Sequence, residues 1–158
     1  MANTQSMCTS FLGELMTATH NFGASPIRAA STADTVKAAL YLTTATINAA
    51  TTVYTVTGEV SGTNYTAGGV TVTNATAPTS TNSSATAGVG YWTPSASIVY
   101  TTVTLSTAFD TVLIYNSTQS NKAISVHTFG SQTITAGTFT LTMPSNTTTT
   151  ALLRLATT

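Results

Sequence analysis

Residues 35–44, TVKAALYLTT, decide how the chain is read. Val36, Ala38, Leu40 and Leu42 fall on alternate positions, with Lys37, Ala39, Tyr41 and Thr43 between them. A side-chain interval of two belongs to a strand, because successive Cβ atoms point to opposite faces, so the stretch predicts a half-buried β-strand. The same interval recurs in TVYTVT (52–57), GGVTVTN (68–74), SIVYTTVTLS (97–106), DTVLIYN (110–116), KAISVHTF (122–129), GTFTLTM (137–143) and ALLRLAT (151–157), with Gly, Asn, Ser and Pro clusters between them. About eight short strands with short turns predict an antiparallel β-sandwich of jelly-roll or Greek-key type. Threonine, about one residue in four, suits such pleated surfaces because its branched side chain packs well there.

Two segments break the alternation. In SMCTSFLGELMTATHNFG (6–23), Cys8, Phe11, Leu12, Leu15, Met16 and Thr19 follow the i, i+3, i+4, i+7 rule, with Ser6 placed to cap the start and Gly23 to end it. This predicts one short N-terminal α-helix. Gly13 weakens it by about 1 kcal/mol relative to alanine, so it needs something to dock on. Cys8, Phe11, Leu12, Leu15 and Met16 are therefore the candidate assembly interface, on an arm or a core helix. The second break, NATAPTSTNSSATAGVG (74–90), has no period and predicts a long mobile loop. The expected organisation is a helical segment over 1–25 and a β-sandwich domain over 26–158.

Composition narrows the function. Of 158 residues only 5% are charged, 42% are hydrophobic and the formal net charge is zero, with a mean hydropathy of +0.23. A chain of this size buries a real core, and near-zero net charge favours association. The reading is a protein that lives in an assembly as a homo-oligomer. Cys8 is the only cysteine, so neither an intrachain disulfide nor a cysteine-based metal site is expected. The start lacks a basic-then-apolar leader and no run reaches the length of a membrane span, which leads us to expect synthesis in a cytoplasm and no membrane partner.

Chemistry must come from eight charged residues and two histidines. Asp110 and His127 face each other if NSTQSN (116–121) is a symmetrical turn, and an Asp beside a His is two-thirds of a hydrolase triad. No nucleophile elbow or Gly-rich oxyanion loop accompanies them, so the pair is read as a cross-strand stabiliser. His20 is read as capping the first helix. No metal-ligand spacing occurs, and GTNYTAGG (62–69) lacks the Lys of a phosphate loop. Arg28, Lys37, Lys122 and Arg154 are scattered, so direct nucleic-acid binding is not expected. Neither cofactor nor catalytic residue is expected, and the chain is read as no enzyme. Tyr91 and Trp92, just after the loose loop, are a candidate recognition platform for sugars, or else an anchor for the loop end.

The segments MCTSFLGELMTATHNF (7–22), ALYLTTATINAATTVYTVTGEVSGTNYTAGGVTVTNAT (39–76) and VLIYNSTQSNKAISVHTFGSQTITAGTFTLTMP (112–144) together resemble a family of small tailed-bacteriophage proteins encoded among virion structural genes. The most specific portions are MCTSF with the following HNF, EVSGTNYTAGG and IYNSTQSNKA; residues 77–95 carry no likeness. The resemblance implies a non-enzymatic virion component, preferably a head decoration (cement) protein on the capsid surface that bridges major capsid protein subunits, as a homotrimer. A tail or neck subunit, or a head-fibre receptor-recognition module, is the alternative.

Overall fold

The computed structural model of the protein describes residues 3–8, 11, 15, 19–20, 22, 33–73, 77–81 and 88–156. Eight strands are found among them: β1 (Ser6–Met7), β2 (Val36–Leu42), β3 (Val70–Thr71), β4 (Thr79–Ser80), β5 (Val89–Trp92), β6 (Ile98–Asn116), β7 (Lys122–Leu141) and β8 (Leu153–Ala156). They form a five-stranded sheet in the order β1-β7-β6-β2-β3 and a three-stranded sheet in the order β4-β5-β8. Every pairing is antiparallel.

The long β6–β7 hairpin is the frame. SIVYTTVTLS and DTVLIYN fuse into the single strand β6, and KAISVHTF and GTFTLTM into β7. The intervening TAF and GSQTITA fail to end a strand because their branched and aromatic residues suit a pleat and no proline interrupts them. Bulges absorb the mismatch along the ladder, with register shifts between Tyr100 and Val103, Val103 and Leu105, Leu105 and Phe109, Phe109 and Thr111, and Ile114 and Tyr115. At Thr102 and Ala136 the backbone takes positive φ, as local kinks in a ribbon often require.

Strand β2 lies between β6 and β3. It is buried on both faces from Ala38 to Tyr41 and not only along the Val36–Leu40 row. The half-buried expectation is corrected here: a central strand covered on each side loses the exposed face that alternation implies. TVYTVT is not a strand. Val53 makes one isolated bridge to Lys122, and Val53 and Val56 are exposed.

Two other expectations change. Ser6 and Met7, expected to open the helix, are strand paired with Val126 and Ser125. Phe11 and Leu15 have helical backbone, but Leu12, Gly13, Met16 and Gly23 lie outside the described residues, and the N-terminal helix is not supported. The stretch read as a loose loop contributes β4 and β5, which pair with each other and with β8; residues 74–76 and 82–87 of it lie outside the described residues. One hydrophobic cluster takes side chains from both sheets, including Leu40, Leu105, Phe109 and Ile124 of the larger and Trp92 and Leu153 of the smaller.

Candidate functional site

The segment EVSGTNYTAGG (59–69) folds back against the edge of β2. Strand β3 covers that edge only at Lys37 and Ala38. Farther along, the Leu40 N–H donates to the Tyr65 hydroxyl at 3.0 Å, the Leu40 carbonyl accepts from Val60 N at 3.0 Å, and Leu42 N donates to Gly58 O at 2.9 Å. The Tyr65 phenol thus takes the place of a missing strand residue and satisfies a buried amide that would otherwise be orphaned. Its own proton goes to Glu59 Oε1 at 2.7 Å. Glu59 also accepts from the Tyr54 hydroxyl at 2.6 Å and from Gly68 N at 2.8 Å.

Three more tyrosines close the cluster. Tyr41 donates to Thr55 O at 2.6 Å, Tyr100 to Ala38 O at 2.8 Å and Tyr115 to Gly68 O at 2.8 Å. Tyr54 stacks on Tyr115 with centroids 4.8 Å apart and Tyr65 on Tyr100 at 6.0 Å. Burial, with the negative charge of Glu59 second, pushes the Tyr115 phenol up to about 12. Burial foremost also raises Tyr41, Tyr54, Tyr65 and Tyr100. Neutral phenols around one carboxylate make a set of donors that pins a loop.

A second polar cluster sits at the start of the β6–β7 turn. The Asn116 amide donates to Asp34 Oδ2 at 2.8 Å and lies 3.1 Å from His20 Nδ1, and its oxygen accepts from Thr118 N and Gln119 N at 3.1 Å each. Both amide protons and both lone pairs are used, which makes His20 Nδ1 an acceptor. His20, Asp34 and Asn116 are each less than a tenth exposed, and the His20 ring lies 4.8 Å from that of Phe11 and 5.9 Å from that of Phe22. His20 is therefore a packed core histidine and not a helix cap. The cluster shapes the turn, where Ser120 and Asn121 adopt positive φ.

Asp110 and His127 are not opposite one another. Asn116 pairs with Lys122, and a bulge between Ile114 and Tyr115 shifts the ladder again, so His127 faces Val112. Each step moves the register by one residue, and together they displace the expected partner by two. Asp110 Oδ1 accepts instead from Asn3 at 2.9 Å and from Thr111 at 2.7 Å. His127 Nε2 lies 2.9 Å from Ser125 Oγ, two residues along the same strand.

Burial lowers His127 to about 4. Between that value and the ordinary 6.5 the unfolded chain binds the proton and the folded one does not, so stability is full above pH 6.5 and falls as the medium is acidified. Denaturant titrations are expected to show a loss of about 2 kcal/mol between pH 7 and 4.5. His127→Gln should remove most of that slope; an unchanged slope would place its origin elsewhere.

The other sequence candidates divide. Cys8 and Phe11 are buried in the core of their own chain, and Leu15 packs partly buried against it; Leu12 and Met16 lie outside the described residues. Trp92 is 2% exposed, with its ring 4.7 Å from that of Phe22, whereas Tyr91 is half-buried on β5. The tryptophan anchors a strand to the core and leaves no two-ring platform. Beside it a cavity of about 300 Å³ is lined by Thr93, Pro94, Ser95, Ser97, Pro144 and Asn146, among others, and the Asn146 Oδ1 atom is buried there without a protein partner. Among the described residues no charged side chain lines it.

Among the described residues no group of three His, Cys, Asp or Glu side chains is arranged to hold a metal, and no helix is long and apolar enough to cross a membrane. Among the described residues the outside is sparsely charged, with Arg154 exposed on β8. From residue 60 to residue 153 the only charged side chains are Asp110 and Lys122, and the exposed positions of β7 from Gly130 to Thr140 are Gly, Ser, Gln, Thr and Ala. Glu59 belongs to none of the constellations that stand out in the sequence. The signal that it belonged to a network was the tyrosine on either side of it, Tyr54 and Tyr65.

Comparison with known proteins finds no counterpart: no protein-family model matches the chain, no curated protein matches its sequence and no solved structure matches it.

Proposed function

We propose that this chain is a non-enzymatic structural protein of a tailed-bacteriophage virion, a decoration (cement) protein that self-associates on the capsid surface and bridges major capsid subunits. In this reading the two antiparallel sheets face each other as a β-sandwich, with Trp92 and Leu153 reaching the common core. The observation that carries the proposal is the uncharged exposed side of the β6–β7 ribbon. A surface of hydroxyls and small residues can lie against another protein without desolvating ion pairs, whose burial often costs more than their attraction returns. Glu59 and Asp110 turn to internal hydrogen bonds, which leaves little for catalysis, and the sequence likeness to virion proteins points the same way.

The test is addition of purified protein to undecorated heads across a salt series. A contact without ion pairs should weaken little as salt rises, unlike one dominated by Lys and Arg. Many copies bound only to the intact shell should also delay thermal release of DNA by mass action. Steep loss of binding by about 0.5 M salt, or unchanged DNA release, sinks the cement role. A copy number of a dozen or fewer per particle would move the protein to the tail or neck.

A further inference from the structure

The bonds around Asn116 fix which way its amide points. Its oxygen accepts from the backbone N–H of Thr118 and of Gln119 at 3.1 Å each. A backbone N–H can only donate, so the amide cannot be turned end for end while the turn keeps its shape. Its NH2 group is thereby held toward Asp34 Oδ2 at 2.8 Å and His20 Nδ1 at 3.1 Å. The Gln119 side chain donates to the second Asp34 oxygen at 3.2 Å. Next to Asp34, Thr35 N donates to Thr118 Oγ1 at 2.8 Å, and Thr35 O accepts from Ser117 N and Ser117 Oγ at 2.9 Å each. One amide therefore joins the turn, the segment before β2 and the histidine.

A neutral imidazole suits this place and an imidazolium does not. Protonated at Nδ1, His20 would set N–H against N–H across 3.1 Å, in a position only 8% exposed and packed on the rings of Phe11 and Phe22. Asp34 pulls the other way: its charge attracts an imidazolium, and a ring that moves to meet it pushes aside the Asn116 amide that touches both. Lys122, opposite Asn116 across the ladder, is a cation and disfavours a second one. We propose that His20, Asn116 and the 117–121 turn form an acid-released latch, in which a proton on the imidazole drives out the Asn116 amide, frees the Thr118 and Gln119 N–H groups and parts the turn from His20.

The sign follows from proton linkage. Once released, His20 takes a proton at the ordinary histidine value of about 6.5, and the closed latch refuses it. The latch is intact above that pH, and its open fraction grows up to about tenfold for each unit below. Opening loosens the packing of His20 on Phe22, whose ring lies 4.7 Å from that of Trp92. Trp92 is the only tryptophan in the chain, so its fluorescence reports the event. The latch does not rest on the virion reading, since isolated protein reports it without heads.

The experiment uses the full chain carrying His127→Gln, so that the other histidine contributes nothing. Amide exchange at Thr118 and Gln119, normalised to the intrinsic rate at each pH, is expected to accelerate up to about tenfold per unit between about pH 6 and 4.5, with a matching change in Trp92 emission, while the β6–β7 ladder stays protected. His20→Gln, added to that chain, keeps an acceptor for Asn116 with no proton to bind and should flatten both signals. Exchange at Thr118 and Gln119 that ignores pH overturns the proposal. So does a response that survives in His20→Gln, or one that waits for the carboxylate range near about 4, which would assign it to Asp34. If either variant fails to fold, the wild-type His20 ring resonance decides: titration in step with exchange at the two amides supports the latch, and titration with both amides still protected overturns it.

Discussion

Gly69→Ala is expected to leave little folded protein. A Cβ built at this position would lie 1.7 Å from the Ala38 carbonyl oxygen and 2.8 Å from the Ala39 Cα, where backbone meets backbone and no side chain can swing aside. Its φ of +68° adds a conformation that alanine adopts at a cost of about 1 kcal/mol. Relief would require the 59–69 segment to lift from β2, removing the Tyr65 and Glu59 contacts together. We expect a loss above about 4 kcal/mol, a large part of the stability of an ordinary domain. Gly130→Ala is the control, because nothing lies within 4 Å of its added methyl; its midpoint in urea should stay near wild type. Normal folding of Gly69→Ala would mean that the close approach to β2 is not required.

Alkaline solution should unfold the protein abruptly. Tyr41, Tyr65, Tyr100 and Tyr115 all hold their protons more tightly than a free phenol, chiefly through burial. Above pH 10 the unfolded chain releases protons that the folded chain retains, so stability is intact below that value and falls as pH rises. Each such group contributes a slope of about 1.4 kcal/mol per pH unit, and four together up to about 5. Unfolding should follow within about two units above the ordinary tyrosine value. Phenolate absorbance and loss of β-structure by circular dichroism should then rise together. Smooth titration of most tyrosines near pH 10 with the fold intact would show that the cluster is open to water.

What the sequence disclosed was local. The alternation of Val36, Ala38 and Leu40 located β2, and the apolar runs of 98–105 and 112–115 located the hairpin. The misses share a cause: partners far away in the chain. TVYTVT is rich in branched and aromatic residues suited to a strand, yet the edge of β2 is filled by Gly58, Val60 and a tyrosine hydroxyl, leaving it without a ladder. Asp110 missed His127 because one bulge and one turn residue moved the register, and neither leaves a periodic trace. The Glu59 network leaves little trace in the sequence because Tyr41, Tyr100 and Tyr115, whose phenols are raised chiefly by burial and further by its charge, come from other strands. Ser6, placed to cap the expected helix, and Met7 beside it are drawn into a sheet by strand β7, which begins at residue 122.

The pairing order sets when the chain can fold. Val36 must find Asn116, and Ser6 must find Val126, so on a ribosome the apolar VKAALYL emerges long before either flank of its final place exists. Of the pairings between strands consecutive in sequence, β2–β3 and β4–β5 match two residue pairs each, whereas the β6–β7 hairpin runs the length of both strands, which makes that hairpin the natural nucleus and the arrival of β2 a late, slow search. Until then the nascent chain shows a sticky segment with no charge beside it except Asp34 and Lys37. Production of soluble protein should therefore depend on elongation rate and chaperone supply more than on final stability.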